Sequence, residues 1–154
     1  MVTEKDRLQY RNVLSRKYQF HYNDFEQNVS HFMNDIEALG VTINGPLFYS
    51  LHNVPMNEIM NVEIFIPIEE HSVIPPQDMT FHSYFSIDNM ITTVDLANEE
   101  ASTEVAYAKL IHYMEQRQLS QATPIFHVVA GDHSLQYVLI KIGVIEKEVE
   151  EAWK

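Results

Sequence analysis

Apolar residues recur along the chain at two different spacings, and each spacing predicts one kind of secondary structure. In residues 23–39 they recur every three or four positions, as in an amphipathic helix, and they are Phe25, Val29, Phe32, Met33, Ile36 and Leu39. Asn23 and Glu26 have the spacing of a capping box, and Gly40 stands where a left-handed residue often ends a helix. This segment therefore predicts a helix with one buried face.

A second helix is predicted for residues 99–118. Asn98 is a suitable N-cap, and the two glutamates after it suit the positive end of a helix dipole. The apolar stripe of this helix consists of Tyr107, Leu110, Ile111 and Met114.

Alternating apolar residues predict strands between and around these helices. The predicted strands are residues 8–16, 47–52, 60–68, 80–87, 90–96, 124–130 and 135–143. In the first strand we expect Leu8, Tyr10 and Leu14 on one side and Val13 on the other. In residues 60–68 we expect Val62, Ile64, Ile66 and Ile68 on one face and Glu63, Phe65 and Pro67 on the other. Pro67 lacks an N–H group, which favours a strand end or an edge.

Part of the pattern occurs twice. Aligning Pro46 with Pro124 matches Phe48 with Phe126 and Tyr49 with His127, and in the following strands Glu63 with Tyr137, Ile64 with Val138 and Ile66 with Ile140. Strands joined by a hairpin are antiparallel, and a helix with one apolar stripe covers one face of a sheet. We therefore expect an α+β fold of two βαββ repeats, which form an antiparallel sheet with helices on one face and an open, concave opposite face.

These expectations divide residues 1–154, a single domain, into successive parts. They are repeat one at about 8–68, a connector at 69–79, repeat two at about 80–143, and a short acidic C-terminal helix at 145–154. In that last helix Ile145, Val149 and Trp153 are aligned at four-residue spacing. The stripe either packs onto the domain or binds a partner protein.

Charge and composition narrow the classes of partner. The 154 residues include 10 Lys and Arg against 22 Asp and Glu, so the net charge is −12. Such a field repels phosphate backbones and anionic membranes, and it favours a cationic ligand or a basic protein partner. We therefore expect no nucleic-acid or membrane partner. The absence of cysteine excludes disulfides and thiolate metal sites, and without a visible signal peptide or an apolar run of about 20 residues we expect a cytoplasmic protein.

Eight histidines raise the question of a metal site. None of them forms an HxH or HxxxH pair, the spacings by which a strand or a helix presents two ligands on one face. We therefore expect no metal and no cofactor. His127 is expected to be a hydrogen-bonded sheet residue and His112 to face solvent.

The order of elements and two short motifs resemble the GyrI-like small-molecule-binding domain family. The motifs are Gly45-Pro46-Leu47-Phe48-Tyr49 and Val62-Glu63-Ile64-Phe65-Ile66-Pro67-Ile68, the second similar to that family's strand with an acidic residue and IPI. The resemblance implies a ligand cleft between the repeats, lined by aromatic rings and one buried carboxylate that selects flat cations. It also suggests a stand-alone member, of a kind associated with loci of type VII-secreted toxins in Gram-positive bacteria.

Candidate ligand-binding residues follow from alternation and from the repeat. Glu63, Phe65, Tyr137 and Leu139 share the face opposite the Val/Ile stripe, and Tyr49 and His127 occupy matched positions. A carboxylate among rings attracts a cation, so Glu63 is the leading candidate. The alternative is a plain surface glutamate that pairs with Lys141 across the strands.

Three functions remain open from the sequence. The first is a non-enzymatic domain that binds a hydrophobic or cationic small molecule. The second is an accessory or neutralising protein-interaction module of a toxin or secretion system, which binds through Ile145, Val149 and Trp153. The third is a pocket hydrolase with Glu63 as base and Tyr137 as proton donor.

Overall fold

The computed structural model describes residues 1–52, 58–96, 102–131 and 135–147. The first elements are β1 (Thr3–His21), a 3-10 turn (Tyr22–Asp24), α1 (Phe25–Ala38), β2 (Phe48–Leu51) and β3 (Ile59–Pro67). The others are β4 (Met79–Asp95), α2 (Ser102–Arg117), β5 (Leu119–Gly131) and β6 (Gln136–Glu146). The predicted α+β class with antiparallel strands is confirmed.

The six strands close into an antiparallel barrel in the order β1-β3-β2-β5-β6-β4. β1 pairs with β4 along one side of the molecule, and the short β2 pairs with β5 along the other. Because both pairs hydrogen-bond, the strands named here have no unpaired sheet edge. The predicted open, concave face is therefore wrong, since that face has become the interior of a barrel.

Three apolar clusters hold the barrel and helices together. One contains side chains from strands alone and fills the barrel: Leu8, Val13, Phe48, Phe65, Met90, Phe126 and Val128, with Leu139 packed against them. We call it the barrel interior. A second lies under α1 and includes Phe32, Ile36 and the predicted Val/Ile stripe of β3. The third lies under α2 and includes Ala106 and Leu110. Both helices thus pack on the outside of the barrel.

Backbone irregularities explain two errors in the predicted strands. The strands predicted at 80–87 and 90–96 form one strand, β4, which continues through Asn89 at φ 55° and ends at Asp95. In β1, Leu8 and Val13 lie in the barrel interior whereas Leu14 packs under α1. Asn12 has φ 58°, and this left-handed residue shifts the alternation of side chains by one position. Strict alternation therefore assigned Leu14 and Val13 to the wrong faces.

The helices follow the predictions with two corrections. Gly40, at φ 73°, follows α1 as expected, and its N–H donates to the carbonyl of Glu37. The predicted capping box gives way to another arrangement at the 3-10 turn, where the Asn23 N–H donates to the side chain of His21. In α2 the exposed Ile111 lies outside the packed stripe, in which Ala106 takes part instead. The segment 97–101 lies outside the described residues, so the predicted start of this helix does too.

The predicted C-terminal helix is wrong at its beginning. Ile145 belongs to β6, where Ser120 is its antiparallel partner, and its side chain is exposed. Val149 and Trp153 lie outside the described residues, so the predicted stripe stays a prediction for those two. Neither helix of the described chain is long and apolar enough to cross a bilayer.

Candidate functional site

Stacked aromatic rings occupy the middle of the barrel interior. The rings of Phe48 and Phe65 are nearly parallel, with centroids 4.7 Å apart. Tyr10 stacks on Phe48 at 5.5 Å, and Phe85 lies 5.0 Å from Phe65. Each ring comes from a different strand, so closure of the barrel brings together aromatic residues from distant parts of the sequence. Phe48 and Phe65 are buried.

Glu63 lies beside this aromatic stack and belongs to a polar group with Ser15 and His82. The Ser15 hydroxyl donates to Glu63 Oε2 at 2.7 Å, and Ser15 Oγ lies 2.8 Å from His82 Nε2. His82 Nε2 is 4.0 Å from the same carboxylate oxygen. The His82 ring in turn contacts Phe65 and Phe85, with centroids about 6 Å away. A carboxylate, a hydroxyl and an imidazole therefore sit together at one edge of the rings.

The three side chains of this group differ in their exposure to solvent. Ser15 is fully buried, whereas the side chains of Glu63 and His82 are 14% and 27% exposed. Ser15 has a single hydroxyl hydrogen, which it gives to Glu63, so its oxygen can only accept from His82. His82 therefore carries a hydrogen on Nε2 whether the ring is neutral or charged. This chain of hydrogen bonds fixes the orientation of the carboxylate.

A hollow of about 390 Å³ lies beside the residues that neighbour Glu63 on β1 and β3. It is lined by Lys17, Tyr18, Gln19, His52, Asn61 and Val62. Lys17 is the antiparallel partner of Glu63 on β1, and Ser50 is its partner on β2. The Ser50 hydroxyl contacts His52 Nε2 at 2.7 Å. The hollow is thus lined by residues next to Glu63 on β1 and β3, on the side of Glu63 away from Phe65.

Lys141 does not pair with Glu63, so the alternative of a Glu63–Lys141 pair across the strands is wrong. Its ammonium group lies 2.6 Å from Asp6 Oδ2, and Thr92 donates to the same oxygen at 2.7 Å. Partial burial acts to raise the pKa of the Asp6 carboxyl, but the hydrogen bonds from Lys141 and Thr92 outweigh it and hold that pKa below its ordinary value. The charge of the buried Lys141 is therefore neutralised by Asp6 of β1. The candidate ion-pair partner of Glu63 is His82.

Tyr49 and His127 lie on the outer face of the barrel, under the helices. His127 is buried, and the Tyr107 hydroxyl of α2 lies 2.6 Å from its Nε2 atom. Burial lowers the pKa of His127 to about 4, so the ring is neutral at pH 7. Burial also raises the pKa of Tyr107 to about 12, with a further contribution from Asp95. This second polar group is separate from the first, because the sheet lies between them.

The candidate residues from the sequence therefore fall into two places. Glu63, Phe65 and Leu139 face the barrel interior, as predicted, whereas Tyr49 and His127 do not join them. The ligand-binding role of all six candidates stays a prediction.

The sixth candidate, Tyr137, is set apart along its strand. It pairs with Ala130, four residues along β6 from Lys141, and that distance is about 13 Å in an extended strand. Glu63 lies level with Lys141 through its pairing with Ser50 and the pairing of Ser50 with Phe126. The hydrolase hypothesis requires Tyr137 to lie level with Glu63. The strand register does not bring the two residues together in this way.

Sequence reasoning missed Ser15, His82 and Phe85 as parts of this site. Phe85 and His82 are three positions apart on β4, and strict alternation puts such residues on opposite faces. The available signal was the aromatic and polar run from Thr80 to Phe85 in a strand otherwise read as plain sheet. A metal site is not indicated either: within the four described ranges, no group of three or more His, Cys, Asp or Glu is arranged to hold an ion.

These features define a small α+β barrel domain with a carboxylate beside an aromatic interior. By sequence, the chain belongs to the family described as Domain of unknown function (DUF5085), which matches residues 9–146. No curated protein matches the sequence.

Solved structures with a similar fold have little sequence identity to this chain. The EcmrR C-terminal domain aligns with a TM-score of 0.70 at 11% identity, over 96% of this chain and 98% of that domain. EcmrR in a complex with DNA aligns with a TM-score of 0.75 at 14% identity, and there the alignment covers 96% of this chain and 57% of EcmrR. At such identities the similarity concerns the fold.

Two further structures extend the comparison. A hydrolase from Listeria innocua aligns with a TM-score of 0.58 at 10% identity, over 94% of this chain and 90% of the hydrolase. SAV2435 bound to tetraphenylphosphonium aligns with a TM-score of 0.50 at 12% identity, over 94% of this chain and 93% of SAV2435. Proteins of this fold thus include one that was captured with an organic cation.

Proposed function

We propose that this chain is a non-enzymatic small-molecule-binding domain of the GyrI-like type, with a hydrophobic cation as its ligand. The observation that carries the proposal is the position of Glu63, whose side chain is only 14% exposed and lies beside the aromatic stack. Its neighbours Val62 and Lys17 line a hollow. The similar fold of SAV2435 bound to tetraphenylphosphonium supports the same class of ligand.

The chemistry of the site favours a cation over a neutral or anionic compound. A carboxylate that has lost most of its water gains from a positive charge nearby, and ring faces attract the same charge. The hydrogen bond from Ser15 occupies one oxygen of Glu63, Oε2. Oε1 is then the oxygen that would face a ligand. A large cation with delocalised charge and aromatic groups suits this position because little energy is needed to strip its water.

The ligand would bind at the mouth of the interior and not in its centre. Phe48 is fully buried and Phe65 nearly so, which leaves no room for a ligand between them. The hollow beside Glu63, at about 390 Å³, is within the usual range of about 300–1,000 Å³ for ligand pockets. A ligand that extends from this hollow to Glu63 would contact Lys17 or His52 at one end and approach His82 at the other.

We also propose that the fold is an internal duplication of two βαββ repeats, as the sequence pattern predicts. Phe48 pairs with Phe65 in the first half, and Phe126 pairs with Lys141 in the second. If Phe48 corresponds to Phe126, then Phe65 corresponds to Lys141. On this basis Glu63 corresponds to Leu139, two residues from the Tyr137 match expected from the sequence. Left-handed asparagines also occur at corresponding points of β1 and β4. Each half would then be one βαββ unit, of which only the first carries an acidic residue at this position.

A titration with tetraphenylphosphonium tests the function. We expect the wild type to bind this cation and Glu63→Gln to bind it at least about tenfold more weakly, since the charge is lost while the shape is kept. Glu37→Gln is the matched control, because Glu37 is exposed on α1 and its substitution changes the net charge equally. Equal affinity of the Glu63→Gln variant would show that this carboxylate does not select the ligand.

The other two functions stay predictions. The hydrolase hypothesis requires Tyr137 near Glu63, and the strand register places them apart. An accessory role in a toxin or secretion system depends on Val149 and Trp153, which lie outside the described residues. Binding of a basic protein that survives Glu63→Gln and is lost on removal of residues 148–154, beyond β6, would favour the accessory role.

A further inference from the structure

We infer that His82 competes with the ligand for Glu63, so that binding of a cation expels a proton from the site. The inference rests on the proposed function, because it concerns the same carboxylate. When the His82 ring is charged, it supplies the positive charge that a ligand would otherwise supply. Acidification would then release the ligand, and a bound cation would keep His82 neutral.

His82 lies close enough to Glu63 to compete with a bound cation for the carboxylate. Its Nε2 atom is 4.0 Å from Glu63 Oε2, and Ser15 bridges the two groups with hydrogen bonds of 2.7 and 2.8 Å. At 4 Å, opposite charges interact appreciably even near a protein surface. The ring also contacts Phe65 and Phe85, the aromatic rings that a hydrophobic cation would contact. A charged His82 thus satisfies both the carboxylate and the rings.

Few other ionisable groups on the surrounding strands face this point. On β1, Lys17 is opposite Glu63 in the ladder and Ser15 is uncharged. On β2, His52 contacts Ser50, the other neighbour of Glu63. In the ladder with β1, His82 pairs with the apolar Val13. On β1, Asn12 precedes Val13 and contacts His71 Nδ1 at 3.2 Å. His52 and His71 are therefore the other histidines near this point, and the test must separate them from His82.

The direction of the pH dependence follows from the competition. Histidine is the side chain whose charge commonly changes between about pH 5 and 8. At the acidic end a charged His82 cancels the charge of Glu63 and weakens cation binding. At the alkaline end His82 is neutral and Glu63 is available. By linkage, the affinity for a cation rises with pH, and binding at an intermediate pH releases a proton into the solution.

The experiment titrates the protein with tetraphenylphosphonium, whose own charge does not change with pH. We expect wild-type affinity to be about tenfold weaker at about pH 5.5 than at about pH 8. His82→Gln keeps an N–H donor for Ser15 but cannot gain a charge, so its affinity should change by less than about twofold over this range. His52→Gln, His71→Gln and the exposed His112→Gln are matched controls, and all three should keep the wild-type dependence.

Calorimetry at about pH 6.5 in two buffers with different ionisation enthalpies gives a second readout. Wild type should release protons on binding, and His82→Gln should not. NMR of the imidazole covers the case in which the variant fails to fold: bound tetraphenylphosphonium should keep the wild-type His82 ring neutral at a pH where it is charged in the free protein.

The outcomes separate this inference from the proposed function. Binding of tetraphenylphosphonium with equal affinity at both pH values would overturn the role of His82 and leave the proposed function standing. A pH dependence abolished by His52→Gln and kept by His82→Gln would overturn it as well. Failure of the folded wild type to bind at either pH would refute both.

Discussion

The phenol ring of Tyr49 lies flat against the imidazole of His127, with ring centroids 4.6 Å apart and planes 5° from parallel. The two residues are direct partners in the ladder of β2 and β5, where the two halves of the chain meet. Phe25 of α1 packs on Tyr49, and Tyr107 of α2 hydrogen-bonds to His127. This pair therefore joins both helices to the barrel, and it should contribute more to stability than to the site at Glu63.

The buried His127 should make stability depend on pH. In the unfolded chain a histidine takes up a proton as the pH falls through about 6.5, whereas in the folded protein the pKa of His127 is about 4. The unfolded state therefore binds more protons between these values, and stability falls as the pH is lowered from about 6.5 to about 4. Above about 6.5 the full stability is present.

His127→Gln tests this contribution, because glutamine can still hydrogen-bond to Tyr107 and does not titrate. Urea unfolding of the wild type should show an extra loss of about 3 kcal/mol across this pH range that the variant lacks. The exposed His112→Gln should behave as the wild type does. Parallel pH profiles for wild type and His127→Gln would contradict a buried, neutral His127.

The pair of Asp6 and Lys141 should respond unequally to loss of either partner. Lys141 has a side chain only 8% exposed, and Asp6→Asn would leave its ammonium unpaired. We expect that change to cost about 2–3 kcal/mol of unfolding free energy. Lys141→Met should cost less, about 1 kcal/mol, because Asp6 is 31% exposed and keeps its bonds from Thr92 and the Arg7 N–H.

The double variant Asp6→Asn/Lys141→Met provides the control for that prediction. With no charge left to pair, it should be more stable than Asp6→Asn alone. Denaturant unfolding at pH 7 measures all four proteins of this cycle. Additive losses in the cycle would show that the two side chains do not interact.

Asn12 should tolerate glycine better than alanine. Its φ of 58° is strained for a residue with a Cβ atom, and asparagine accepts it more readily than most. Asn12→Ala should lose about 1–2 kcal/mol, because it keeps the strained φ and, like Asn12→Gly, removes the contact with His71. Asn12→Gly relieves the strain and should remain closer to wild type. Thermal unfolding compares the two, and a less stable glycine variant would argue against a left-handed position.

Phe48 should be among the most costly positions of the barrel interior. It is fully buried and contacts the rings of Tyr10, Phe65 and Phe85. Phe48→Ala should cost about 3–5 kcal/mol of unfolding free energy through lost burial and the cavity left behind. Ile111→Ala, at a position 55% exposed on α2, should change stability by less than about 1 kcal/mol. Similar losses for the two would mean that the interior is loosely packed.

Much of the fold could be predicted because its signals are local. The stripe from Phe25 to Leu39 gave α1, and the alternation around Glu63 correctly separated Ile64 from Phe65. Both patterns depend on which side of a helix or strand is buried, and neighbouring residues encode that directly. The position of Pro67 as the last residue of β3 also followed from its missing N–H group.

Less of the candidate site could be predicted, because its parts come from separate strands. Glu63 and Phe65 were found through their strand, whereas Ser15 and His82 contact Glu63 only after β1 has paired with β3 and β4. The assignment of Lys141 to Asp6 likewise depends on contacts between residues far apart in sequence. No periodicity within one strand contains that information.

By itself the sequence determined the helices, most of the strands and the inward direction of Glu63, since short-range spacing of apolar residues decides each of these. Only the tertiary structure decided that the sheet closes, that Asn12 shifts the faces of β1, and that His127 lies across the sheet from Glu63. The physical reason is that closure and register depend on hydrogen bonds between distant strands, and a single left-handed residue reverses the alternation on which a local prediction relies.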